Sequence, residues 1–126
     1  MKMNERIREI IHSGTDRNYT TLAVQGDGYK LFPVYFVRMV GENMLAIPVT
    51  NATGIEQVLK EPTHAQFIAA DRGQGFEAYL LEGSARYVSN DTDFELVAEM
   101  VNEVPSFPIH GAVTFQIENV QLIPPP

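Results

Sequence analysis

"YKLFPVYFVRMVGENMLAIPV", residues 29–49, decides the fold. Its two apolar runs, 29–40 and 44–49, flank a Gly41-Glu42-Asn43 turn, and each is apolar on both faces. A sheet with one solvated face alternates apolar and polar residues, so neither run suits one. A small closed barrel buries one face of such strands; the other needs a partner subunit, a flat ligand, or both. Pro33 has no N–H to give to a ladder, so it marks an edge, a bulge or a break in pairing.

Upstream, residues 3–12 set Ile7, Ile10 and Ile11 at helical spacing, with Gly14 as a stop. "YTTLAVQ" (19–25) predicts a strand, and Gly26-Asp27-Gly28 predicts a tight hairpin into the 29–40 run. Downstream, Thr53 and Glu56 have the spacing of a capping box, predicting a helix over 54–61 that ends before Pro62. "HAQFIAAD" (64–71) and "FEAYLLEGSARYVS" (76–89) predict two strands joined by "RGQG". Phe94, Val97, Ala98 and Val101 predict a helix over 92–103. In the last strand, 112–123, Val113, Phe115 and Ile117 hold odd positions while Val120 and Leu122 hold even ones. That slip near Glu118-Asn119 predicts a bulge. The expectation is a mainly β chain: six antiparallel strands in one domain spanning 1–126, with three short peripheral helices.

The 126 residues suffice for one core, and 44% hydrophobic with 20% charged residues describes a folded domain. A net charge of -7 disfavours nucleic acid and anionic membranes as partners. No Cys is present, which excludes disulfides, thiolate catalysis and zinc-thiolate or iron–sulfur sites. "MKMNERIREIIHSG" lacks the apolar stretch of a signal peptide and no run approaches a membrane span, so a cytoplasmic protein is expected.

Chemical motifs are sparse. His12, His64 and His110 stand apart without metal-ligand spacing, and Ser84 lies within a predicted strand rather than on a nucleophile elbow. Asp91, Asp93, Glu95, Glu99 and Glu103 read as the solvated face of a helix. The loop Thr50-Asn51-Ala52-Thr53-Gly54 has two readings: an ordinary helix start, or a set of hydroxyl, amide and backbone donors for an anion.

The order of helix, strand, "GDG", "PVYFV", "LAIPV", helix ending at Pro62, then "GQGFEAYLLEGSARYV", resembles the FMN-binding split β-barrels related to pyridoxamine 5′-phosphate oxidase. The likeness is nearest to the small single-domain FMN-binding proteins and covers roughly residues 5–123. It implies a six-stranded antiparallel split β-barrel and a homodimer with non-covalent FMN at the subunit interface. It further implies that Thr50, Asn51, Thr53 and Gly54 lie at the phosphate. Pro33, Val34, Ile47, Pro48 and Val49 would lie against the isoalloxazine, and Gln74 and Gly75 near its polar edge. Where relatives carry Lys at the phosphate this chain has Gly54, and where a Thr often follows it has Ile55. Electron or hydride transfer is the implied chemistry, in an oxidoreductase or a redox carrier whose partner or small-molecule substrate the sequence does not name. Two other classes stay open: the same fold holding another planar cofactor (a deazaflavin or haem), and a ligand-free interaction protein.

Overall fold

A computed structural model describes residues 3–12, 20–26, 28–34, 37–49, 54–70, 77–89 and 111–124. The elements are α1 (Met3–His12), β1 (Thr20–Gly26), β2 (Gly28–Val34), β3 (Arg38–Val40), β4 (Met44–Val49), α2 (Ile55–Val58), β5 (Thr63–Ala70), β6 (Ala78–Val88) and β7 (Gly111–Ile123). The strands form one antiparallel sheet in the order β2-β1-β5-β6-β7-β4-β3. Among the described residues its two edges do not pair, so the barrel is split.

The opening stretch accounts for the split. The 29–40 run is not one strand but two, β2 and β3, which sit at opposite edges of the sheet. This makes seven strands rather than six. Pro33 lies on edge strand β2, where a missing N–H breaks no ladder. The run's two-sided apolar character also divides. Val34, Val37 and Met39 are buried, whereas Tyr29 and Leu31 on the outer face of β2 are 55% and 67% exposed.

Alternate residues of each strand point inward. Leu22 and Val24, Leu45, Ile47 and Val49, Phe67, Leu81, and Val113, Phe115 and Ile117 form one core, which α1 joins through Ile7, Ile10 and Ile11. Phe67 and Phe115 meet tilted at its centre, with ring centroids 6.4 Å apart. The helix is tied down at two points. Arg8 donates to the carbonyls of Met39 (3.3 Å) and Gly41. Arg6 donates to Glu77 Oε1 from Nε (2.9 Å) and Nη2 (2.5 Å), while the Tyr79 hydroxyl donates to Glu77 Oε2.

The predicted bulge is present in β7. Glu82 pairs with Asn119 and Gly83 with Ile117, which leaves Glu118 without a counterpart and shifts the alternation by one residue. Val120 then packs against the core, while Leu122 beyond it is exposed. The β3–β4 turn docks here: Ile117 N–H donates to the Asn43 carbonyl at 2.7 Å. The β1–β2 hairpin closes at the paired Gly26 and Gly28, the latter at φ +96°.

The helix after β4 departs from expectation. It is the single turn Ile55–Val58, with Gly54 at φ +88° as its N-cap in place of the expected Thr53, which itself lies outside the described residues. Ile55 and Leu59, four apart, are both buried, and one turn is enough to seat them. The chain then leaves through exposed Lys60, Glu61 and Pro62, with Thr63 Oγ1 donating to the Glu61 carbonyl at 2.8 Å. The expected helix over 92–103 and the "RGQG" turn lie outside the described residues.

Candidate functional site

Four pieces of chain converge at one end of the barrel: the end of β4, the start of β7, the end of β6, and α2. Val49 pairs with Gly111, and Ile47 with Val113, which pairs in turn with Tyr87. The Tyr87 N–H donates to the Leu59 carbonyl at 2.9 Å, tying β6 to the end of α2. The segment 50–53 joins β4 to Gly54 across this corner. It lies outside the described residues, as do Gln74 and Gly75.

The expected apolar wall divides in two. Ile47 and Val49 are buried in the core together with Val34, so they support a site from beneath rather than line it. Pro48 is half-buried and Pro33 exposed, each on the opposite face of its strand from those neighbours. Nor are their strands adjacent. β2 is one edge of the sheet, and β4 lies next to the other edge, paired with β3. The predicted second strand therefore does not lie beside β4 along its length: only 38–40, from its second half, does.

Gly54 is exposed, and a Cβ added there would meet no described atom within 4 Å. Its positive φ is nevertheless strained for any L-residue, lysine included. A one-turn helix adds little dipole, so an anion here would depend on loop side chains and backbone N–H groups.

Tyr87 and Gly111 also meet at this corner, a contact that the sequence did not reveal. A Cβ built on Gly111 would fall 2.2 Å from the Tyr87 hydroxyl and 2.4 Å from its Cζ, so the tip of the ring occupies the space that Gly111 leaves open. Burial, and then the Glu56 carboxylate, push the Tyr87 phenol above its usual range, which keeps it protonated. The only sequence signals were a Tyr at an inward position of β6 and a Gly opening β7. Their meeting depends on the β6–β7 register.

Elsewhere, His64 Nε2 lies 3.7 Å from Glu82 Oε2 on the outer face of the sheet, and Gln66 donates to the same carboxylate at 3.1 Å. Ser84 is mid-strand, as expected. Among the described residues no group of three or more His, Asp or Glu is placed to hold a metal, and no helix is long and apolar enough to cross a membrane.

No protein-family model and no curated protein matches the sequence. Solved structures match the fold. HupZ of Group A Streptococcus aligns over 98% of this chain and 94% of its own, with a TM-score of 0.78 at 11% identity. A protein related to general stress protein 26, of the pyridoxinephosphate oxidase family, from Clostridium acetobutylicum aligns over 96% and 87%, with a TM-score of 0.68 at 13% identity. An FMN-binding protein from Syntrophomonas wolfei subsp. wolfei aligns over 96% and 88%, with a TM-score of 0.63 at 17% identity. At these identities the likeness is one of fold, and it is the fold that the sequence resemblance implied.

Proposed function

We propose that the chain is a flavoprotein of the pyridoxamine 5′-phosphate oxidase-like kind, binding FMN non-covalently in a cytoplasmic homodimer. The observation that carries this reading is the fold itself, an open seven-stranded antiparallel sheet shared over 96% of the chain with an FMN-binding protein. The residues at the β4–α2 corner fit such a ligand. Pro48 at this corner, held from beneath by the buried Ile47 and Val49, offers apolar contact to a flat ring, and Pro33 with the buried Val34 is assigned to the ring from edge strand β2. Thr50, Asn51, Thr53 and the open backbone at Gly54 offer neutral donors to a phosphate, and Gln74 and Gly75 are assigned to the polar edge of the ring. Bound flavin would supply electron or hydride transfer, as a redox carrier or in an oxidoreductase. The chain's own part is position and electrostatics.

The visible absorption spectrum of the purified protein tests this directly. Flavin bands are expected. Bands of a deazaflavin or haem would move the fold to another planar cofactor, and a colourless protein that takes up no added flavin would leave an interaction protein.

The dimer rests on the outer face of the β2 side of the sheet. Tyr29, Leu31 and Pro33 on β2 and Ile68 on β5 are exposed together there, a patch that a second copy would cover. Sedimentation should give about twice the 14.1 kDa chain mass. Leu31→Asp should return a folded monomer that has lost flavin. Val34 is unsuitable for this purpose, because it is 2% exposed and a charge there would unfold the core. Wild type sedimenting as a monomer would remove both the dimer and an interfacial site.

A further inference from the structure

We propose that the outer face of the sheet carries a pH switch for self-association: a second copy covers His64 and Glu82, and holds more tightly when His64 is charged. This rests on the dimer reading above. Glu82 Oε2 accepts a hydrogen bond from Gln66 Nε2 at 3.1 Å, and His64 Nε2 stands 3.7 Å from the same oxygen. In the single chain both keep water, at 43% side-chain exposure for His64 and 27% for Glu82. On a face that stays wet, such a group is ordinary cross-strand pairing and contributes little.

Its position sets this group apart. Ala23 pairs with Leu31 on one side and Gln66 on the other, and Gln66 pairs with Glu82. The four therefore form one row across β2, β1, β5 and β6. His64 and Ile68 flank Gln66 on the same face of β5, two residues away on either side. A surface that covers the exposed Leu31 and Ile68 passes over Gln66 and comes down on His64 and Glu82.

Covering takes water from the Glu82 carboxylate, and one hydrogen bond from a neutral amide does not replace it. A charged imidazole does. Among the described residues packed around His64 on this face, the charged groups are Glu82 and Arg86 on β6 and Glu118 in the β7 bulge. Arg86 is its second diagonal neighbour, beyond Ser84, and opposes the charged form, but the imidazole Nε2 is turned to Glu82. β7 sets neutral Asn119 and Gln116 opposite Glu82 and Ser84. β1 presents Thr21, Ala23 and Gln25, and β2 the titratable Tyr29, with Lys30 on its opposite face. Covering thus favours the charged His64, and its titration lies higher in the dimer than in the single chain. The gain is full below the single-chain value and is lost as pH rises through the dimer value. Histidine ordinarily changes charge between about pH 5 and 8, so the window lies near neutrality.

The test is sedimentation equilibrium at about pH 6 and about pH 8, in roughly 0.3 M salt to screen the general repulsion between chains of net charge -7. Two covered pairs, each favouring charged His64 about tenfold, should make the wild-type dimer about thirtyfold weaker at the higher pH. His64→Gln should remove the step while His12 and His110 still titrate, and Glu82→Gln should remove it as well. A wild-type dimer of equal strength at both values overturns the switch and leaves the dimer standing. A step that survives in His64→Gln also overturns it, assigning the titration to another group. Wild type that stays monomeric at both values overturns the dimer reading and this inference with it. A second measurement needs no variant. The His64 ring Cε1–H signal, followed by NMR in wild-type protein, should titrate at higher pH where sedimentation shows dimer than where it shows monomer, and coincident titrations overturn the switch.

Discussion

The middle and one end of the β6–β7 ladder each depend on a glycine, and the two glycines differ in what excludes a side chain. At Gly83 an added Cβ would fall 1.8 Å from the Gln116 carbonyl oxygen and 2.9 Å from its carbon. Both atoms are backbone, pressed close by the bulge at Glu118. At Gly111 the obstacle is the tip of Tyr87, a side chain that can turn about its own bonds. The first place is fixed by the path of the chain itself, and the second is held by a movable side chain.

The largest expected effect breaks the fixed middle. Gly83→Ala has no relief except opening the bulge, which also carries the Ile117–Asn43 bond, and should cost about 3 kcal/mol or more. Denaturant unfolding would show this as a lowered midpoint at nearly constant slope. A loss under about 1 kcal/mol would mean that the strands are not so close. Gly111→Ala should cost less, about 1–2 kcal/mol, because Tyr87 can swing aside. Adding Tyr87→Ala should then restore part of the loss in a double-mutant cycle, whereas no single side-chain truncation should rescue Gly83→Ala. Additive costs for Gly111→Ala and Tyr87→Ala would show that the two do not touch.

Much of the fold was legible in the sequence. The slip from Ile117 to Val120 announced the bulge, the spacing of Ile7, Ile10 and Ile11 announced α1, and "MLAIPV" has the bounds of β4. All are local periodicities. The division of 29–40 into two edge strands was not legible, because period-two alternation says nothing about which distant strand each half pairs with. The α2 start was misread for a different reason. Thr53 and Glu56 have the capping spacing, but Gly54 takes the positive φ at which the turn begins. The expected flavin wall held a signal that could have been used. Ile47 and Val49 alternate with Pro48, so the three could not face one ligand from a flat strand, and the structure turns the first two into the core. Tyr87 and Gly111, far apart in sequence, meet only through the register.

The tyrosines at the two ends of β6 extend the contrast to pH. Tyr79 and Tyr87 are both raised above the usual 10, the first mainly by its hydrogen bond to Glu77, the second mainly by burial. Stability from each is fully present below about pH 10 and is lost as pH rises towards the raised folded value, where the unfolded chain gives up its proton first. Glu77 shifts the other way. Hydrogen bonds from Arg6 and then Tyr79 hold it below the usual 4.5, so its contribution is present above that pH and is lost as acid protonates it. Glu77→Gln should flatten the acid limb of the thermal midpoint and lower the Tyr79 titration, seen in tyrosinate absorbance, while leaving Tyr87 in place. A Tyr87 that moved with it would show that the two ends are coupled.

The smallest expected effect sharpens the movable end. Glu56 is exposed on the single turn of α2, and its carboxylate is the second cause of the raised Tyr87 phenol. An exposed charge acts through water and is screened by salt, so its influence on a neighbour is well under 1 kcal/mol. Glu56→Gln should therefore lower the Tyr87 titration slightly and leave the thermal midpoint unchanged at neutral pH. The same carboxylate should oppose a phosphate at this corner, so the variant should bind FMN about two- to threefold more tightly with riboflavin unaffected. Raising the salt concentration should shrink that gain, since the effect is Coulombic and exposed. If the Tyr87 titration falls and FMN affinity does not rise, Glu56 reaches the phenol but not the ligand, and the phosphate lies away from this corner. If FMN tightens at low salt only, the carboxylate and the phosphate share the site that Tyr87 borders.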